Sequence, residues 1–385
     1  MHAVLSASSA HRWLECTPSA RLEEQFPDTS SESAKEGTLA HAIAELKVRK
    51  YAIEPMGPKT YNKRFKELQA DELYTKDMDT DTDAYLDYVK EIFLSFQNAK
   101  PFIAVELKVS FENYVKDGFG TADCIIISGE DLHIIDFKYG KRNLVLPHEN
   151  PQLKLYGLGV LNDYALFYNI QNIHLHIFQP RMDNVGCFDI SRADLEAWGE
   201  SIKNKAEQAY KGEGDTVIGS HCQFCKAGAI CRKRADENLK LAKYDFKKPP
   251  LLTHTEVGKI LKMSEDLTSW AKELKEWALS ETLKGAEVPG WKAVAGRSTR
   301  AFTNQEKVFQ SLINNGVNEE LLYERKPITL TAVEKLIGKS LFNEILSEYI
   351  TKSEGKPTLV EESDKRQAIV KASAQDDFIG GKENE

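Results

Sequence analysis

The sequence contains no apolar run that approaches the roughly 20 residues needed for a transmembrane helix, and it has no surplus of basic residues. Lys and Arg number 51 against 59 Asp and Glu, which gives a formal net charge of −8 and a pI of about 5.7. Overall charge therefore offers no argument for nucleic-acid binding, and such an argument needs local features. The first residues lack the basic start and apolar stretch of a signal peptide, so we expect a cytoplasmic protein. A Walker A sequence is also absent, which excludes a P-loop nucleotide site.

Cysteine is scarce, with six in 385 residues, but half of them are clustered. Cys222, Cys225 and Cys231 form a C-x2-C-x5-C pattern in a turn-rich stretch. In a reducing cytosol, clustered thiols bind metal more often than they form disulfides. Three thiolates leave one ligand position to fill. Cys16 is the better candidate for it, and His221 is the alternative that would complete a zinc site. The remaining two cysteines are interpreted as packing residues, Cys124 and Cys187.

Hydrophobic periodicity predicts alternating helices and strands along the first part of the chain. The predicted helices cover 8–16, 31–50, 85–96, 151–161 and 194–211, and the predicted strands cover 102–111, 121–128, 132–137 and 172–178. The stretch 59–82 is characterised only by its polar, Lys- and Asp-rich composition. The order of helix, three strands, helix and strand predicts an α/β fold with a mixed sheet flanked by helices.

A carboxylate and a lysine stand together at the end of the third predicted strand. Strand alternation places Asp136 and Lys138 on one face and turns Phe137 into the core. A carboxylate that holds a divalent cation, beside a lysine that orients or deprotonates water, suits phosphodiester hydrolysis. Mg²⁺ and Mn²⁺ need several oxygen ligands, and Asp123 on the preceding strand supplies a second carboxylate. An isolated Asp-X-Lys is most often a surface ion pair. Glu106 is a further acidic residue that matches no motif.

Four short motifs follow one another along the chain. They are Gly37-Thr38-Leu39-Ala40-His41, Gly120-Thr121-Ala122-Asp123, Asp136-Phe137-Lys138 and Gln152-Leu153-Lys154-Leu155-Tyr156. They resemble the motifs of the RecB-like branch of the PD-(D/E)XK nuclease superfamily, over roughly residues 1–235. The resemblance implies a restriction-endonuclease-like fold and a DNA exonuclease that depends on Mg²⁺ or Mn²⁺.

The same resemblance implies roles for individual residues. It implies metal ligation by His41, Asp123, Asp136 and the carbonyl of Phe137, and a catalytic role for Lys138. Residues expected to contact DNA are Gln152 and Tyr156, one helical turn apart, and the neighbouring basic pair Lys141 and Arg142. Taken singly, His41 and Tyr156 are equally compatible with packing in the core.

The cysteine pattern resembles a known metal site as well. One upstream and three downstream cysteines are similar to the iron–sulfur site of the AddB helicase–nuclease subunit and of CRISPR-associated RecB-like exonucleases. This similarity implies a [4Fe–4S] cluster held by Cys16, Cys222, Cys225 and Cys231, with Zn²⁺ as the alternative. A crosslink that closes so long a loop should stabilise the fold appreciably.

We therefore expect a nuclease domain with the cluster over 1–240, a mostly helical, DNA-contacting region over 251–350, and a polar, flexible tail over 351–385. The expected function is degradation of DNA from its ends in recombination, repair or phage DNA processing. The expected partners are DNA and single-stranded-DNA-binding or annealing proteins, with no membrane. Two alternatives stay open: a catalytically silent DNA- or protein-binding module that uses the nuclease fold, and a zinc-binding regulator.

Overall fold

The computed structural model describes residues 3–27, 32–96, 100–242, 253–294, 305–315 and 318–323, and single residues between 333 and 349. The chain divides into two compact units, Met1–Val294 and Ala295–Glu385. The predicted tail over 351–385 lies outside the described residues. Among the residues that are described, no helix combines the length and apolarity needed to cross a membrane.

The first unit contains a five-stranded sheet. Its strands are β1 Phe102–Ser110, β2 Phe119–Ser128, β3 Asp131–Phe137, β4 Asn172–Gln179 and β5 Asn184–Ser191. They lie side by side in sequence order, antiparallel except for the parallel pair β3 and β4. A parallel pair needs a long crossover, which here contains a helix. The predicted α/β class with a mixed sheet flanked by helices is confirmed.

The helices of the first unit precede, interrupt and follow the sheet. They are α1 Ala10–Glu15, α2 Ser19–Glu23, α3 Glu32–Val48, α4 Pro58–Gln69, α5 Lys76–Ser95, α6 Pro151–Tyr164, α7 Arg192–Lys211, α8 Arg232–Ala242 and α9 His254–Leu283. Short 3₁₀ turns cover Ala7–Ser9, Pro180–Met182, Ser220–Phe224 and Gly228–Ile230, and a π-helical turn covers Arg49–Ile53. In the second unit, α10 covers Gln305–Asn314 and a 3₁₀ turn covers Glu319–Leu322.

The sheet is buried on both faces. On one face, Ile125 and Ile134 pack with α1, α6 and α7. On the other face, Ile126 and Ile135 pack with α3 and α5. Strands that are covered on both sides read as continuous apolar runs, which explains why β2 and β3 were predictable from the sequence.

The alternation of side chains along strand β1 reverses at Glu106, so that residues before and after it point to opposite faces of the sheet. Before this residue, Ile103 and Val105 pack in the α3–α5 core, whereas Leu107 and Val109 after it pack in the opposite core. Glu106 has a φ of 49°, a left-handed conformation that is uncommon for a residue other than glycine. Such residues cluster at functional sites, and Glu106 is a component of the site described below.

The structure contains elements that the sequence analysis did not predict. The polar stretch 59–82, for which only composition was noted, is largely helical, because Pro58 opens α4 and the Thr75 side chain caps α5 by accepting from Met78 N. The edge strand β5 was not predicted, because its alternating burial leaves every second residue in solvent and gives only a weak apolar signal.

Helix α9 packs against the turn that carries the downstream cysteines. Trp270 Nε1 donates to Ala229 O at 2.9 Å. Arg234, which is 1% exposed, forms ion pairs with Asp266 at 3.0 Å and with Glu273. These contacts belong to the first unit, and the proposed boundary between residues 240 and 251 stays a prediction.

Candidate active site

Three acidic residues are neighbours across the first three strands. The β1–β2 pairs Val105–Cys124 and Leu107–Ala122 flank Glu106 and Asp123, and the β2–β3 pair Cys124–Ile135 lies next to Asp123 and Asp136, so the three acidic residues form one row across the strands. Like charges in directly opposite positions destabilise a sheet. The row is therefore costly for the fold unless a positive charge or a proton neutralises it.

Helix α3 adds an imidazole to this row. His41 Nδ1 lies 3.5 Å from Asp123 Oδ2 and 4.0 Å from Glu106 Oε1. One ligand atom from each of these three residues lies within 4.8 Å of the others. The His41 ring also packs edge-on against the ring of Phe137, with 5.3 Å between centroids, and the carbonyl of Phe137 is a predicted metal ligand. One nitrogen and two carboxylates in this arrangement can hold a hard divalent cation.

Glu106 is the member of this group that sequence reasoning undervalued. It was noticed as an acidic residue, but it matches no motif. The sequence did contain one signal for its role, which is a glutamate in the middle of an apolar strand. Glutamate is rare at such positions unless it has a partner. The left-handed backbone that places Glu106 beside Asp123 and His41 cannot be inferred from residue order.

Lys138 lies at the centre of a hydrogen-bond network at the end of β3. Its Nζ donates to Asp136 Oδ1 and to Gln152 Oε1, both at 3.1 Å. Gln152 Nε2 in turn donates to Asp136 Oδ1 at 3.1 Å. The structure therefore brings together the strand pair Asp136 and Lys138 with the first residue of the predicted Gln-X-X-X-Tyr motif on α6.

One oxygen of Asp136 is left without a hydrogen bond. The residue is 1% exposed, and within the described part of the chain Oδ2 has an ion pair with Lys138 Nζ at 2.9 Å but accepts no hydrogen bond of acceptable geometry. A buried oxygen without a hydrogen bond is costly and calls for an explanation. A cation bound at Oδ2 would satisfy this atom, so the donor set fits the Mg²⁺ or Mn²⁺ that the motifs imply.

The pKa values of the site residues are shifted by burial and by the negative charges of neighbouring carboxylates. Burial and then the charge of Asp136 raise the pKa of Asp123 to about 8. Burial and then Asp123 raise the pKa of Glu106 to about 7. Burial lowers the pKa of His41, which favours the neutral imidazole that ligates metals. Burial opposes the charge of Lys138, but the two aspartates outweigh it and raise the pKa of the lysine.

Tyr156 lies behind the site rather than on its surface. It is 5% exposed within the core, and its hydroxyl accepts from Gln152 Nε2 at 3.0 Å. A Cβ at Gly120 would lie 2.7 Å from the Tyr156 ring. The glycine of the Gly-X-X-Asp motif therefore makes room for the tyrosine, which positions Gln152. The predicted contact of Tyr156 with DNA is not supported by this placement.

A groove of about 1460 Å³ opens beside Lys138. We name it the Lys138 groove; its polar lining includes Arg12, Arg142 and Gln152. The exposed Lys141 is not among the residues that line it. Of the predicted basic pair, only Arg142 faces the groove.

The four candidate cluster cysteines lie on two neighbouring segments. Cys16 follows α1, which packs against the 3₁₀ turn that contains Cys222. A hydrogen bond between Cys16 and the His221 ring raises the pKa of that histidine. The segments are also joined by Arg12, which donates to Phe224 O at 2.9 Å. The chain therefore brings residue 16 to the segment of the downstream cysteines, as the iron–sulfur hypothesis requires, and it places His221, the zinc alternative to Cys16, in the same region.

The turns around the downstream cysteines are tightly wound. Cys225 N donates to Cys222 O at 3.1 Å, and Gly228 N donates to Cys225 O at 2.9 Å. A Cβ at Gly228 would lie 2.8 Å from Cys222 O. Cys231 follows this turn and is half-buried. Thiolates are the donor type that iron–sulfur clusters and zinc use. Among the described residues, however, no three of these sulfur atoms lie within 4.8 Å of one another.

The two cysteines that were interpreted as packing residues differ in their surroundings. Cys124 is fully buried in the α3–α5 core. Cys187 is exposed on β5, so its interpretation as a packing residue was wrong. The edge position of β5 explains the error, since a residue there has no neighbouring strand on one side.

The fold and the site define an α/β protein with a carboxylate-rich centre at one end of its sheet. The family described as "Protein of unknown function (DUF2800)" matches residues 2–367, and the chain belongs to this family. Two solved structures are similar to parts of it. One is SSO0001, at 17% identity and a TM-score of 0.25, with 56% of this chain and 94% of that chain covered. The other is named "Putative exonuclease", from Eubacterium rectale, at 11% identity and a TM-score of 0.35, with 66% and 92% covered.

Proposed function

We propose that the protein is a divalent-metal-dependent deoxyribonuclease that degrades DNA from its ends. Two observations support the proposal: the buried Asp136, whose Oδ2 is paired with Lys138 but accepts no hydrogen bond of acceptable geometry, and the neighbouring group of His41, Glu106 and Asp123. A binding module has no need for three adjacent carboxylates that destabilise its sheet. Phosphodiester hydrolysis uses them, because they hold the cation that the reaction requires.

The residues that would hold Mg²⁺ or Mn²⁺ are His41, Glu106, Asp123 and Asp136, with the carbonyl of Phe137. When bound, the cation polarises the phosphoryl group and lowers the pKa of its water. Lys138 provides a positive charge and donor hydrogens at the same carboxylate, so it can orient the attacking water and stabilise negative charge on phosphate. Gln152 holds the lysine Nζ in place.

The Lys138 groove offers the phosphate backbone a path to Lys138. Arg142 lines it together with Lys138, and such side chains bind phosphates without reading sequence. Arg12 also lines the groove but is ion-paired with Glu23. Phe224 lies on its wall and is 45% exposed. Exposed aromatic rings beside cationic groups stack on the bases of single strands. We therefore infer that one DNA strand enters along this groove.

A metal ion or cluster bound by the cysteines would hold in place the segments that form one side of the Lys138 groove. Phe224 lies between Cys222 and Cys225, and Arg12 on α1 contacts its carbonyl. We infer that Cys16, Cys222, Cys225 and Cys231 ligate a [4Fe–4S] cluster that holds these two segments together. The competing hypothesis is Zn²⁺ with His221 in place of one cysteine. A role in recombination, repair or phage DNA processing, with annealing proteins as partners, belongs to the same proposal.

The decisive experiment is a nuclease assay on labelled DNA of different topology. Linear single- and double-stranded DNA with labelled ends and closed circular single-stranded DNA are incubated with Mg²⁺, Mn²⁺ or chelator. We expect metal-dependent loss of the linear substrates and survival of the circle. Rapid cleavage of the circle would show an endonuclease instead. DNA binding without hydrolysis under every metal condition would support the silent binding module.

Two lysine variants distinguish a catalytic role of Lys138 from a general effect of removing a positive charge near the site. Lys138→Ala removes the lysine that contacts Asp136, whereas Lys141→Ala removes an exposed lysine three residues away that does not line the groove. Only the first should abolish hydrolysis. An equal loss of hydrolysis in the two variants would show that Lys138 has no special catalytic role.

A further inference from the structure

A second cluster of metal-binding side chains lies on β3, β4 and β5, apart from the carboxylate row. The registers place His133 opposite His174, His174 opposite Asp189, and His176 opposite Cys187. His133 lies near the start of β3, whereas Asp136 lies near its end. All five side chains therefore share one face of three adjacent strands.

Three of these side chains are already close enough to share an ion. His174 Nδ1 lies 2.7 Å from Asp189 Oδ1, and Cys187 Sγ lies 3.3 Å from the same oxygen. One ligand atom from each of the three lies within 4.8 Å of the others. Four tetrahedral ligands on bonds of about 2.0–2.3 Å lie about 3.3–3.8 Å apart. Small side-chain rotations would therefore bring the three atoms to bonding distance of one ion.

His176 is positioned to supply a fourth ligand. Its Nε2 lies 3.7 Å from Cys187 Sγ and hydrogen-bonds to His133 Nδ1 at 2.9 Å, a contact that a bound ion would replace. Its Nδ1 lies 2.8 Å from the hydroxyl of Tyr88 on α5. A metal-bound histidine usually donates its other ring nitrogen to a fixed partner, which sets the tautomer and the ring orientation. The Tyr88 hydroxyl is such a partner. His133 borders the group, with its ring stacked on His174 at 4.3 Å between centroids.

We propose that His174, His176, Cys187 and Asp189 bind a Zn²⁺ ion on one face of the β4–β5 hairpin, between the buried His176 and the exposed Cys187 and Asp189. A thiolate with two imidazoles and a carboxylate selects a borderline-soft ion over Mg²⁺ or Ca²⁺. The site has an open side, because Cys187 and Asp189 are exposed. The ion would link the edge strand β5 to the interior strand β4 through side chains, in addition to their ladder of backbone hydrogen bonds.

The first test is the zinc content of matched variants. Reduced wild-type protein, Cys187→Ser, His174→Gln and a control, His254→Gln, are dialysed against Zn²⁺ and analysed for bound metal. His254 is an exposed histidine at the start of α9, outside the cluster. Because Cys16, Cys222, Cys225 and Cys231 are unchanged in all four proteins, any difference reports on the new site alone. We expect the wild type and the control to hold one zinc per chain more than either cluster variant.

A second measurement keeps the proposal testable if a variant folds poorly. Binding of Co²⁺ to the wild type should produce a thiolate-to-cobalt charge-transfer band that is reduced in Cys187→Ser. Asp189→Asn, at an exposed position, should weaken zinc binding without changing the circular dichroism spectrum. Addition of Zn²⁺ should slow hydrogen exchange in β5 of the wild type. Equal zinc content in the wild type and both cluster variants, or an unchanged cobalt spectrum in Cys187→Ser, would overturn the proposal.

Discussion

Removing the charge of Asp123 should stabilise the metal-free protein at alkaline pH. Asp123 Oδ2 accepts a hydrogen bond from Phe137 N at 2.8 Å, and an asparagine oxygen can accept the same bond. Asp123→Asn therefore removes the ionisation with little change in shape. Glu106 and Asp136 are its acidic neighbours, so the variant also relieves repulsion within the row.

The sign and the size of the effect follow from the pKa of Asp123, which is raised to about 8 in the folded protein. A carboxyl with a raised folded-state pKa contributes stability that is present at low pH and lost as pH rises to that pKa. From about pH 6 to the pKa is about two units, and each unit corresponds to about 1.4 kcal/mol. The wild type should therefore lose on the order of 3 kcal/mol more than Asp123→Asn over this range.

The assay is urea unfolding in chelator at about pH 6 and about pH 8.5. Wild type, Asp123→Asn and Asp215→Asn are compared, since Asp215 is an exposed aspartate outside the site. Asp215→Asn should follow the wild type. Added Mg²⁺ should stabilise the wild type most at the higher pH, because the ion binds the ionised carboxylates. Parallel loss of stability in wild type and Asp123→Asn would refute the reasoning.

Three further predictions test catalysis, the cysteine site and the buried arginine. Lys138→Ala should lower the initial rate of DNA hydrolysis with Mg²⁺ by about 100-fold or more, because its charge at the reacting phosphate is lost; a rate close to that of the wild type would contradict this role. In anaerobically purified protein, Cys16→Ser should lower the iron content as much as Cys225→Ser does, because both are ligands of one cluster; bound zinc that does not depend on Cys16 would exclude the cluster. Arg234→Met should lower the free energy of unfolding by about 1 kcal/mol, because two partly exposed carboxylates lose their partner and solvent screens the charges that remain. The exposed Lys240→Met should change it by less than about 0.5 kcal/mol, and equal effects of these two substitutions would contradict the assignment.

Much of the sheet could be predicted from local sequence, and for a physical reason. Strands β2 and β3 are covered on both faces, so their residues are apolar almost without interruption. Helix α6 begins with Asn150, whose side chain accepts from Gln152 N and so caps the helix. The edge strand β5 alternates between solvent and protein and left too weak a signal to be recognised.

The sequence by itself determined which chemical groups the site contains. Asp136 and Lys138 share a strand face because alternation has a period of two, and Gln152 and Tyr156 share a helix face because they are four residues apart. Residue order also predicted a metal site at three clustered thiols with one ligand to be filled by Cys16 or His221, and this stays a prediction. These inferences depend on local geometry, which short stretches of sequence specify.

Only the tertiary structure decided which groups meet across the sheet. Glu106 reaches Asp123 and His41 because a left-handed backbone reverses the faces of β1. Tyr156 turned out to hold Gln152 from within the core, because Gly120 leaves space for its ring. Cys187 meets His174 only through the pairing of β4 with β5. Such contacts depend on strand register and packing between distant segments, which no local pattern specifies.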